Sequence, residues 1–596
     1  MRKFFLICGV MFLALQAAAQ RTVTGIVTDE KGLPLPKVSV TVKGTTTGTV
    51  TKEDGTYSLV VPATGKTLVF SSVDMQRLEL AIGSGSTYNV SLKASDRTMD
   101  EVVVTGYSTK RRTDFTGASS KVAAKQIEQI PIASFEQILQ GRAPGLYIAS
   151  GSGQPGSSAR VNIRGVGSIS GGNAPLYVLD GVPIEEGVFR TLNPNDFESV
   201  DVLKDAAGAG LYGSRGANGV IVITSKKGKA GKTQIQYRGM AGVSQAPQQL
   251  NLEMMNTSQR LEYEERLLGP SGILPVGGTG LTGYPGWDYS PNNPRYAGLT
   301  QAQRDAERVL LDSIRGINTN WPDLFFRNAN FSQHEVSASG GTQGLSFFTS
   351  LSYYKQEGVV IRSDLERYTF RTNLDFKRDR LTIGLRTVAG FSTLSNIESE
   401  AGVALANPIA AAYLELPYRR PFLANGKNAV GTGNTGANAY DRLFTTTALT
   451  NQFKGSLAIT AQFDIWNGIA LRSTNGVDWR NNNGSRFIDP NSFAGGLVAQ
   501  GAQGSYNESN SENLQLISTT GLVYSKTIGG KHTINGSAMV EAIRNRNRSF
   551  NATGFGLNLR LPNTPAAITA GSTTNNFIPL IGGGRTYNGL FSYFVT

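Results

Sequence analysis

Few residues in this sequence have the types and spacing that catalysis or metal binding requires. The two histidines, His334 and His532, are isolated and far apart, so they do not form a metal-ligand pattern. No Gly-x-Ser-x-Gly segment, which would place a serine nucleophile on a sharp turn, occurs. The carboxylates are scattered and no pairing stands out. The sequence therefore predicts no catalytic site, no metal site and no cofactor, and it favours a protein that is not an enzyme.

Two segments resemble nucleotide-binding loops but lack the required context. Gly208-Ala209-Gly210-Leu211-Tyr212-Gly213 has the glycine spacing of a dinucleotide loop, yet a predicted turn and a strand follow it instead of a helix. Gly231-Lys232-Thr233 resembles the end of a phosphate-binding loop, but Lys226 stands where the first glycine would be. Neither segment predicts a nucleotide site.

Residues 1–19 have the features of a secretory signal peptide. Arg2 and Lys3 precede an apolar run, and the small residues Ala17-Ala18-Ala19 precede the expected cleavage point. The only cysteine, Cys8, lies within the apolar run, so the mature chain is expected to contain no cysteine. Export without disulfides is typical of a bacterial envelope protein rather than a small disulfide-stabilised domain.

The chain of 596 residues has a net charge of +13, which by itself could indicate nucleic-acid binding. The signal peptide argues against nucleic acid. We expect the excess charge to face an anionic membrane leaflet or acidic saccharides. Outside the first twenty residues, no apolar run has the ~18 residues of a membrane-spanning helix.

Residues 20–95 are predicted to form a small antiparallel β-sandwich. Val23, Gly25 and Val27 alternate on one face of the first strand, and short strands and turns follow at regular spacing. The segments Gly25-Ile26-Val27-Thr28-Asp29 and Asp54-Gly55-Thr56-Tyr57 resemble a carboxypeptidase regulatory-like domain.

Residues 96–112 form a polar linker that contains one strand-forming stretch, Asp100-Glu101-Val102-Val103-Val104-Thr105-Gly106-Tyr107. Three consecutive β-branched residues favour an extended backbone. An extended segment between two solvated ones can be added to the sheet edge of a partner. The alternative is an ordinary buried strand of a flanking domain, and composition alone favours that alternative; the neighbouring motifs described below favour the added strand.

Residues 113–230 are predicted to be a mixed α/β segment. Several long motifs in this segment, in order, resemble the plug of SusC/RagA-family TonB-linked outer-membrane proteins. They are Leu139-Gln140-Gly141-Arg142, Arg164-Gly165-Val166-Gly167-Ser168, Tyr177-Val178-Leu179-Asp180-Gly181-Val182-Pro183, Leu192-Asn193-Pro194-Asn195-Asp196-Phe197-Glu198-Ser199-Val200, and Tyr212-Gly213-Ser214-Arg215-Gly216-Ala217-Asn218-Gly219.

The resemblance implies roles for specific residues. Asp100, Glu101, Val102, Val103, Val104, Thr105, Gly106 and Tyr107 would be the TonB box, and Arg164, Gly165, Asp180, Gly181, Tyr212, Gly213, Arg215 and Gly216 would be structural residues of the plug. Because buried charges need partners, we expect the charged members to hold the plug together or hold it to a surrounding barrel wall. Substrate-binding residues are not predicted.

Residues 231–596 are predicted to be strands of about a dozen residues, suited to a tilted membrane crossing. Phe453, Leu457 and Ile459 alternate with polar residues, as do Tyr368 and Phe370. Tight turns are expected to alternate with long polar loops at roughly 245–330, 394–450, 481–511 and 546–583, which is typical of an outer-membrane barrel. Trp466 and Trp479 are expected near strand ends, where they would suit the membrane interface.

The predicted fold is mainly β, with an N-terminal β-sandwich, a mixed α/β plug and a transmembrane antiparallel β-barrel. About ten strands are predicted, whereas the resemblance implies a 22-stranded barrel with a plugged lumen. The sequence is therefore expected to be an N-terminal part of a truncated barrel, with an open edge that would promote aggregation.

The resemblance implies import of a nutrient through the outer membrane of a Gram-negative bacterium, coupled to TonB and its ExbB/ExbD motor. It also implies a SusD-like surface lipoprotein as a partner, contact with outer-membrane lipid, and an oligosaccharide or peptide substrate. The alternatives are a surface receptor, adhesin or signal transducer that uses the barrel without transport and, least favoured, a soluble envelope protein of several β-sandwiches.

Overall fold

A computed structural model describes residues 21–595 except 30–31, 63–64, 73–74, 94–101, 105–108, 112–116, 128–134, 150–152, 158, 170–171, 185–190, 247–252, 270–282, 398–406, 499, 530–531, 562–563 and 570–579. The expected signal peptide therefore lies outside the described residues. The chain divides into two compact units, residues Met1–Val102 and Val103–Thr596.

The first unit contains the expected β-sandwich. Its two sheets have the strand orders β4-β1-β7 and β3-β2-β5-β6. The strands are β1 (Arg21–Thr28), β2 (Ser39–Val42), β3 (Gly48–Val50), β4 (Thr56–Val61), β5 (Thr67–Ser71), β6 (Leu78–Ala81) and β7 (Val90–Ser91). Val23 and Val27 are fully buried, which confirms the predicted face of β1. Gly25 is needed between them, since a Cβ there would lie 1.9 Å from the carbonyl oxygen of Tyr88.

Two short strands follow, β8 (Val102–Val104) and β9 (Thr109–Arg111), and they are hydrogen-bonded to each other as a two-stranded sheet. The β-branched run thus adopts the extended backbone that its residue types favour.

The plug segment contains a five-stranded sheet with the order β10-β15-β16-β13-β14 and a separate hairpin, β11-β12. The strands are β10 (Ser119–Ala123), β11 (Leu146–Ala149), β12 (Arg160–Ile163), β13 (Leu176–Leu179), β14 (Val182–Ile184), β15 (Phe197–Leu203) and β16 (Val220–Ser225). The helices are α1 (Ala124–Ile127), α2 (Phe135–Ile138) and α3 (Ala206–Ala209). Strand β16 is buried along most of its length, as its apolar run Val220-Ile221-Val222-Ile223 requires. We call this segment the plug.

The rest of the chain is organised around one antiparallel sheet of ten consecutive strands, which we call the wall. These are β17 (Gly231–Ser244), β18 (Ala329–Gly341), β19 (Leu345–Glu357), β20 (Asp364–Arg378), β21 (Leu381–Ser395), β22 (Thr446–Trp466), β23 (Ile469–Ile488), β24 (Ser505–Ile528), β25 (His532–Phe555) and β26 (Leu580–Val595). Strands β17 and β26 are the two edges, so the sheet does not close into a barrel. The expected partial barrel is confirmed.

The later strands are longer than predicted, and the loops between them are correspondingly shorter. Strands β24 and β25 contain 24 residues each, where about a dozen were expected. The expected loops at 481–511 and 546–583 are therefore wrong at both ends, since residues 481–488, 505–511, 546–555 and 580–583 belong to strands. Asn481, Asn483 and Asn510 explain the error, because polar residues there remove the alternating pattern that marks a strand. Trp479 is also not near a strand end but lies within β23.

The first two long connections contain helices rather than only polar loop. These are α4 (Thr257–Leu268), α5 (Pro285–Asp288), α6 (Gln301–Arg315), α7 (Trp321–Phe325), α8 (Pro408–Leu414) and α9 (Thr435–Thr445). Asn256 and Thr300 each begin a helix with a reciprocal capping box, which satisfies free backbone donors. Trp321 and Phe325 pack on alanines of α8 and α9. We call the six helices α4 to α9 the cap.

The two faces of the wall have opposite character. Leu351, Phe370 and Ile459 are exposed on the face away from the plug, whereas Arg371 and Lys454 are buried on the other. A continuous exposed apolar surface marks contact with another phase or molecule. No helix within the described part of the chain is long and apolar enough to cross a membrane.

Candidate functional site

The contact between the plug and the wall begins at a tight turn of the plug. Asp180 and Gly181 join β13 to β14, with φ values of 50° and 88°. A two-residue hairpin turn of this kind requires left-handed backbone at both positions, which Asp-Gly accommodates. The Asp180 carboxylate accepts a hydrogen bond of 2.9 Å from the N–H of Ser225, so the turn is held to β16. The sequence thus places a rigid carboxylate at the edge of the plug.

Arg371 of β20 forms an ion pair with this carboxylate. Its Nη1 lies 3.5 Å from Asp180 Oδ2, and its Nε lies 3.4 Å from Oδ2 of Asp196. Burial raises the pKa of Asp196 above its ordinary value, and the charge of Glu335 acts in the same direction; Arg371 and the hydrogen bond from Ser350 oppose the rise. A buried carboxylate with a raised pKa depends on its cation. Arg371 therefore supplies the charge that lets two plug carboxylates lie against the wall.

A second polar contact lies beside the first. Asn193 Nδ2 donates to Glu335 Oε2 at 2.7 Å, and Gln333 Nε2 donates to Asn193 Oδ1 at 3.2 Å. Asn193 also caps a short 3-10 turn by accepting from the N–H of Asn195. One buried amide therefore organises its own loop and binds two wall residues.

A second ion pair, with the cation on the plug and the anion on the wall, joins the plug to β25. Arg215 of the plug is hydrogen-bonded to Glu541 of the wall, and Thr519 Oγ1 also donates to Glu541, at 3.1 Å. Tyr212 is buried near them, and burial together with the charge of Glu541 raises its pKa. Gly213 lies between Tyr212 and Arg215 with φ 60° and ψ −147°, a backbone conformation that favours glycine.

An apolar contact holds the same side of the plug. Val182, which follows the Asp180–Gly181 turn, packs against Ala458, Ile517 and Ile543 of the wall. Gly476 permits this approach, since a Cβ there would lie 2.6 Å from a methyl carbon of Val182. The plug is thus held by ion pairs on β20 and β25 and by apolar packing between them.

The first strand of the plug lies at a sheet edge and is held by a carboxylate. Strand β10 pairs only with β15 among the described strands of its sheet. The N–H of Ala118, just before β10, donates to Asp205 Oδ2 at 2.6 Å, and the N–H of Gly208 donates to Oδ1 at 3.1 Å. Burial alone would raise the pKa of Asp205, but these donors and the charge of Arg164 outweigh it, and the pKa is lowered. Asp205 therefore holds the N-terminal end of β10, the end nearest the linker, by accepting a hydrogen bond from the backbone there.

Some of the residues predicted from the sequence lie at the contact between plug and wall, and others do not. Asp180, Gly181, Tyr212, Gly213, Arg215 and Gly216 lie in or beside the contact with the wall. Arg164 and Gly165 lie at an exposed turn after β12, with φ values of 58° and 99°. Of the expected TonB box, Val102, Val103 and Val104 form β8, while Asp100, Glu101, Thr105, Gly106 and Tyr107 lie outside the described residues.

Several residues of the contact were not singled out from the sequence. Arg371 and Asn373 belong to the polar side of the alternating pattern of β20, so the signal that they face a partner was present. Asn373 Nδ2 donates to the carbonyl oxygen of Lys226 at 2.7 Å. The partners themselves are distant in sequence: Asp180 and Arg371 are separated by 191 positions. Periodicity identifies a face but not what covers it.

The arrangement can hold the plug against the wall through paired charges. Throughout the described ranges, no three His, Cys, Asp or Glu side chains are grouped so that they could hold a metal ion. Two buried charges of the wall, Arg371 and Glu541, are paired with charges of opposite sign on the plug, Asp180 and Arg215.

Two families match parts of the chain. Residues 111–220 match the TonB-dependent Receptor Plug Domain, and residues 23–104 match the CarboxypepD_reg-like domain. The first match covers β10 to β15 of the plug and ends at Val220, the first residue of β16. The second begins within β1 of the sandwich and ends at Val104.

Relatives resemble the chain over most of its length. TonB-dependent receptor P26 of Formosa agariphila is 32% identical over 524 residues, which cover 86% of this chain and 48% of the relative. TonB-dependent receptor SusC of Bacteroides thetaiotaomicron is 30% identical over 555 residues, covering 87% and 50%. The chain therefore spans about half the length of these relatives.

Solved structures share the fold. The RagAB peptide transporter aligns with a TM-score of 0.66 at 24% identity, over 80% of this chain and 53% of that chain. The RagAB peptide importer in the open-open state aligns with a TM-score of 0.64 at 25% identity, over 83% and 54%.

Proposed function

The chain belongs to the SusC/RagA family of TonB-dependent receptors, and from that premise we propose that it acts in energy-coupled import through the outer membrane of a Gram-negative bacterium. The observation that carries the proposal is the continuous connection from the β-branched strand β8 to an edge strand of a plug that is held in the wall by buried ion pairs.

The coupling step uses β8. TonB takes Val102–Val104 as an added strand, since an extended segment offers backbone donors and acceptors to a partner sheet. Because β9 already pairs with one edge of β8, TonB must either bind the other edge of β8 or displace β9. Force applied to β8 reaches β10 through fewer than twenty residues, and β10 is an edge strand closed by Asp205.

The membrane provides the environment for the wall. The exposed apolar face of the wall contacts lipid, and its polar face surrounds the plug. The outer membrane has no proton gradient of its own, so the energy comes from the inner membrane through TonB and its ExbB/ExbD motor.

Two further partners follow from the family. A SusD-like surface lipoprotein covers the side on which the cap lies, and the cargo is an oligosaccharide or a peptide. The relative SusC and the RagAB peptide transporter are consistent with this general scheme.

The test is whole-cell uptake by the full-length protein over a panel of glycans, peptides and iron chelates, in cells with and without TonB. Val103→Pro removes a backbone donor from any added strand, and Val103→Ile is the matched control that keeps a β-branched residue. We expect cells with the unchanged protein to take up one class of cargo. Uptake should be lost in Val103→Pro and in cells without TonB, although the amount of the protein at the cell surface is unchanged. Equal uptake by all variants would contradict import coupled to this strand and would favour a receptor or adhesin.

A further inference from the structure

The plug-facing side of the wall carries an uncharged band across its last five strands. Cross-strand pairing aligns two adjacent rows of side chains on this face. The first row is Thr450, Gly484, Ser509, Asn551 and Gly582. The second row is Gln452, Asn482, Ser511, Ser549 and Gly584.

The face of these rows follows from strand alternation. Residues two apart along a strand share a face, so Gln452 lies on the same face as Ala458, and Asn482 on the same face as Gly476. Ala458 and Gly476 contact Val182 of the plug. The rows lie about 20 Å along the wall from that contact, at a rise of ~3.3 Å per residue. They are at the end where β23 and β24 are joined by residues 489–504.

All of these residues except Gln452 line a cavity of about 600 Å³. Gly484, Gly582 and Gly584 have no side chains, so they leave space at the base of the cavity. A Cβ at Gly582, for example, would meet nothing within 4 Å. With strands ~4.8 Å apart, five strands give a trough about 19 Å long. We call this cavity the neutral trough.

Its chemistry is that of a polyhydroxylated, uncharged ligand. Among the residues that the structure describes, those lining the trough are all uncharged, and its polar groups are amides and hydroxyls, which both donate and accept hydrogen bonds. A short peptide would bring two charged termini, which need partners when desolvated. The nearest charges on this face are Lys454, Arg480 and Arg486 in the flanking rows, and each interacts with other residues of the chain. Lys454, for instance, is paired with Asp478.

We propose that the neutral trough is a binding subsite for a neutral oligosaccharide. The proposal rests on the import function above and narrows its cargo. Asn482 is central to it: its Oδ1 accepts from Gln452 Nε2 at 2.7 Å, which leaves its amide donors for the ligand.

Asn482→Asp and Asn483→Asp form a matched pair for the test. Both changes are isosteric, and both side-chain oxygens keep their role as acceptors, from Gln452 and from Asn510 respectively. The two residues are neighbours on β23 and point to opposite faces, so only Asn482→Asp places a carboxylate in the trough. Gly582→Phe is a second variant that fills the trough without adding charge.

Binding is measured with the full-length protein in detergent. The probes are malto-, cello-, manno- and xylohexaose, an oligogalacturonate of equal length, and hexapeptides. We expect a neutral hexasaccharide to bind, Asn482→Asp and Gly582→Phe each to weaken it by about tenfold or more, and Asn483→Asp to leave its affinity within about twofold.

Three results would overturn the proposal: binding of oligogalacturonate or peptide only, equal affinity in the two aspartate variants and Gly582→Phe, or binding of none of the probes. Uptake separates this inference from the import function. Neutral-glycan binding without TonB-dependent uptake would contradict import and leave the trough intact. TonB-dependent uptake of charged cargo alone would contradict the trough and leave import intact.

Discussion

The guanidinium of Arg371 lies 3.4 Å from the carboxylate of Asp196, and both side chains are about 1% exposed. Asp180 approaches the same guanidinium, and both aspartates lie at the C-terminal end of β16, where backbone hydrogen bonds link Asp180 to Ile223 and Asp196 to Lys226. Two carboxylates of one domain thus share a single cation of another. Removing the cation would leave two buried carboxylates without it, so Arg371 holds both of them, and with them the plug, against the wall.

Removing the shared cation should loosen the plug. We expect Arg371→Met to cost about 3–5 kcal/mol of plug-seating stability, because two buried carboxylates lose their partner. The measurement is amide hydrogen exchange of β13–β16 in the full-length protein. Arg378→Met, on the same strand but 80% exposed, is the control and should change exchange little. Unchanged protection in Arg371→Met would show that the ion pairs do not seat the plug.

The tether between Arg215 and Glu541 should show direct coupling. A double-mutant cycle with Arg215→Gln and Glu541→Gln is expected to give about 1–3 kcal/mol, since Glu541 is 2% exposed. The readout is again exchange of plug amides. The control cycle uses Arg546 of β25 and Glu512 of the neighbouring strand β24, a more exposed pair, and should give less than about 1 kcal/mol. Equal coupling in the two cycles would mean that burial adds nothing at Glu541.

The edge strand β10 should weaken in acid. The lowered pKa of Asp205 means that its stabilising contribution is present above the pKa of an unfolded aspartate, ~3.9, and is lost as pH falls through the folded-state value. Exchange of Ser119–Ala123, corrected for intrinsic rates, should therefore accelerate below about pH 4. Asp205→Asn should remove most of this pH dependence and expose β10 at neutral pH. A pH response that persists in Asp205→Asn would assign it to another group.

The cap should depend on one buried carboxylate. Glu264 accepts from Arg260 Nε at 2.9 Å, from the Tyr418 hydroxyl at 2.9 Å and from the N–H of Gly286 at 3.0 Å. Burial, with Glu264 nearby, raises the pKa of Tyr418, so it stays a donor at neutral pH. Glu264→Ala leaves these donors unsatisfied, at about 1–3 kcal/mol each for the buried ones.

Limited proteolysis of residues 253–330 measures that loss. Cleavage should be faster in Glu264→Ala than in Glu262→Ala, which removes an exposed pair with Arg266 on the same helix. Equal cleavage rates would show that the cap is held by apolar packing alone.

Much of this fold could be predicted from sequence because strand alternation is a local property. The buried face of β1 and the two faces of β20 and β22 follow directly from residue types. The parts of β23 and β24 around Asn481, Asn482 and Asn510 could not be predicted, because polar side chains occupy both faces there. Asn510 donates to Asn481 on one face, and Asn482 accepts from Gln452 on the other.

The functional contacts were harder to predict than the strands. Asp180 and Arg215 fall in recognisable motifs, but Arg371 and Glu541 follow from no motif. The two pairs are separated by 191 and 326 positions. The cap was missed for another reason: its helices begin at Asn256 and Thr300, polar caps that also occur in ordinary loops.

Cross-linking of β8 to TonB tests the coupling most directly. Residues 20–596 contain no cysteine, so Val103→Cys adds a thiol to a segment that has none. With a cysteine placed in the periplasmic domain of TonB, we expect a disulfide at position 103 that increases when cargo is bound. Leu33→Cys, exposed on the sandwich, is the control and should give none. Cross-linking of Val103→Cys no greater than that of Leu33→Cys, with or without cargo, would contradict the account.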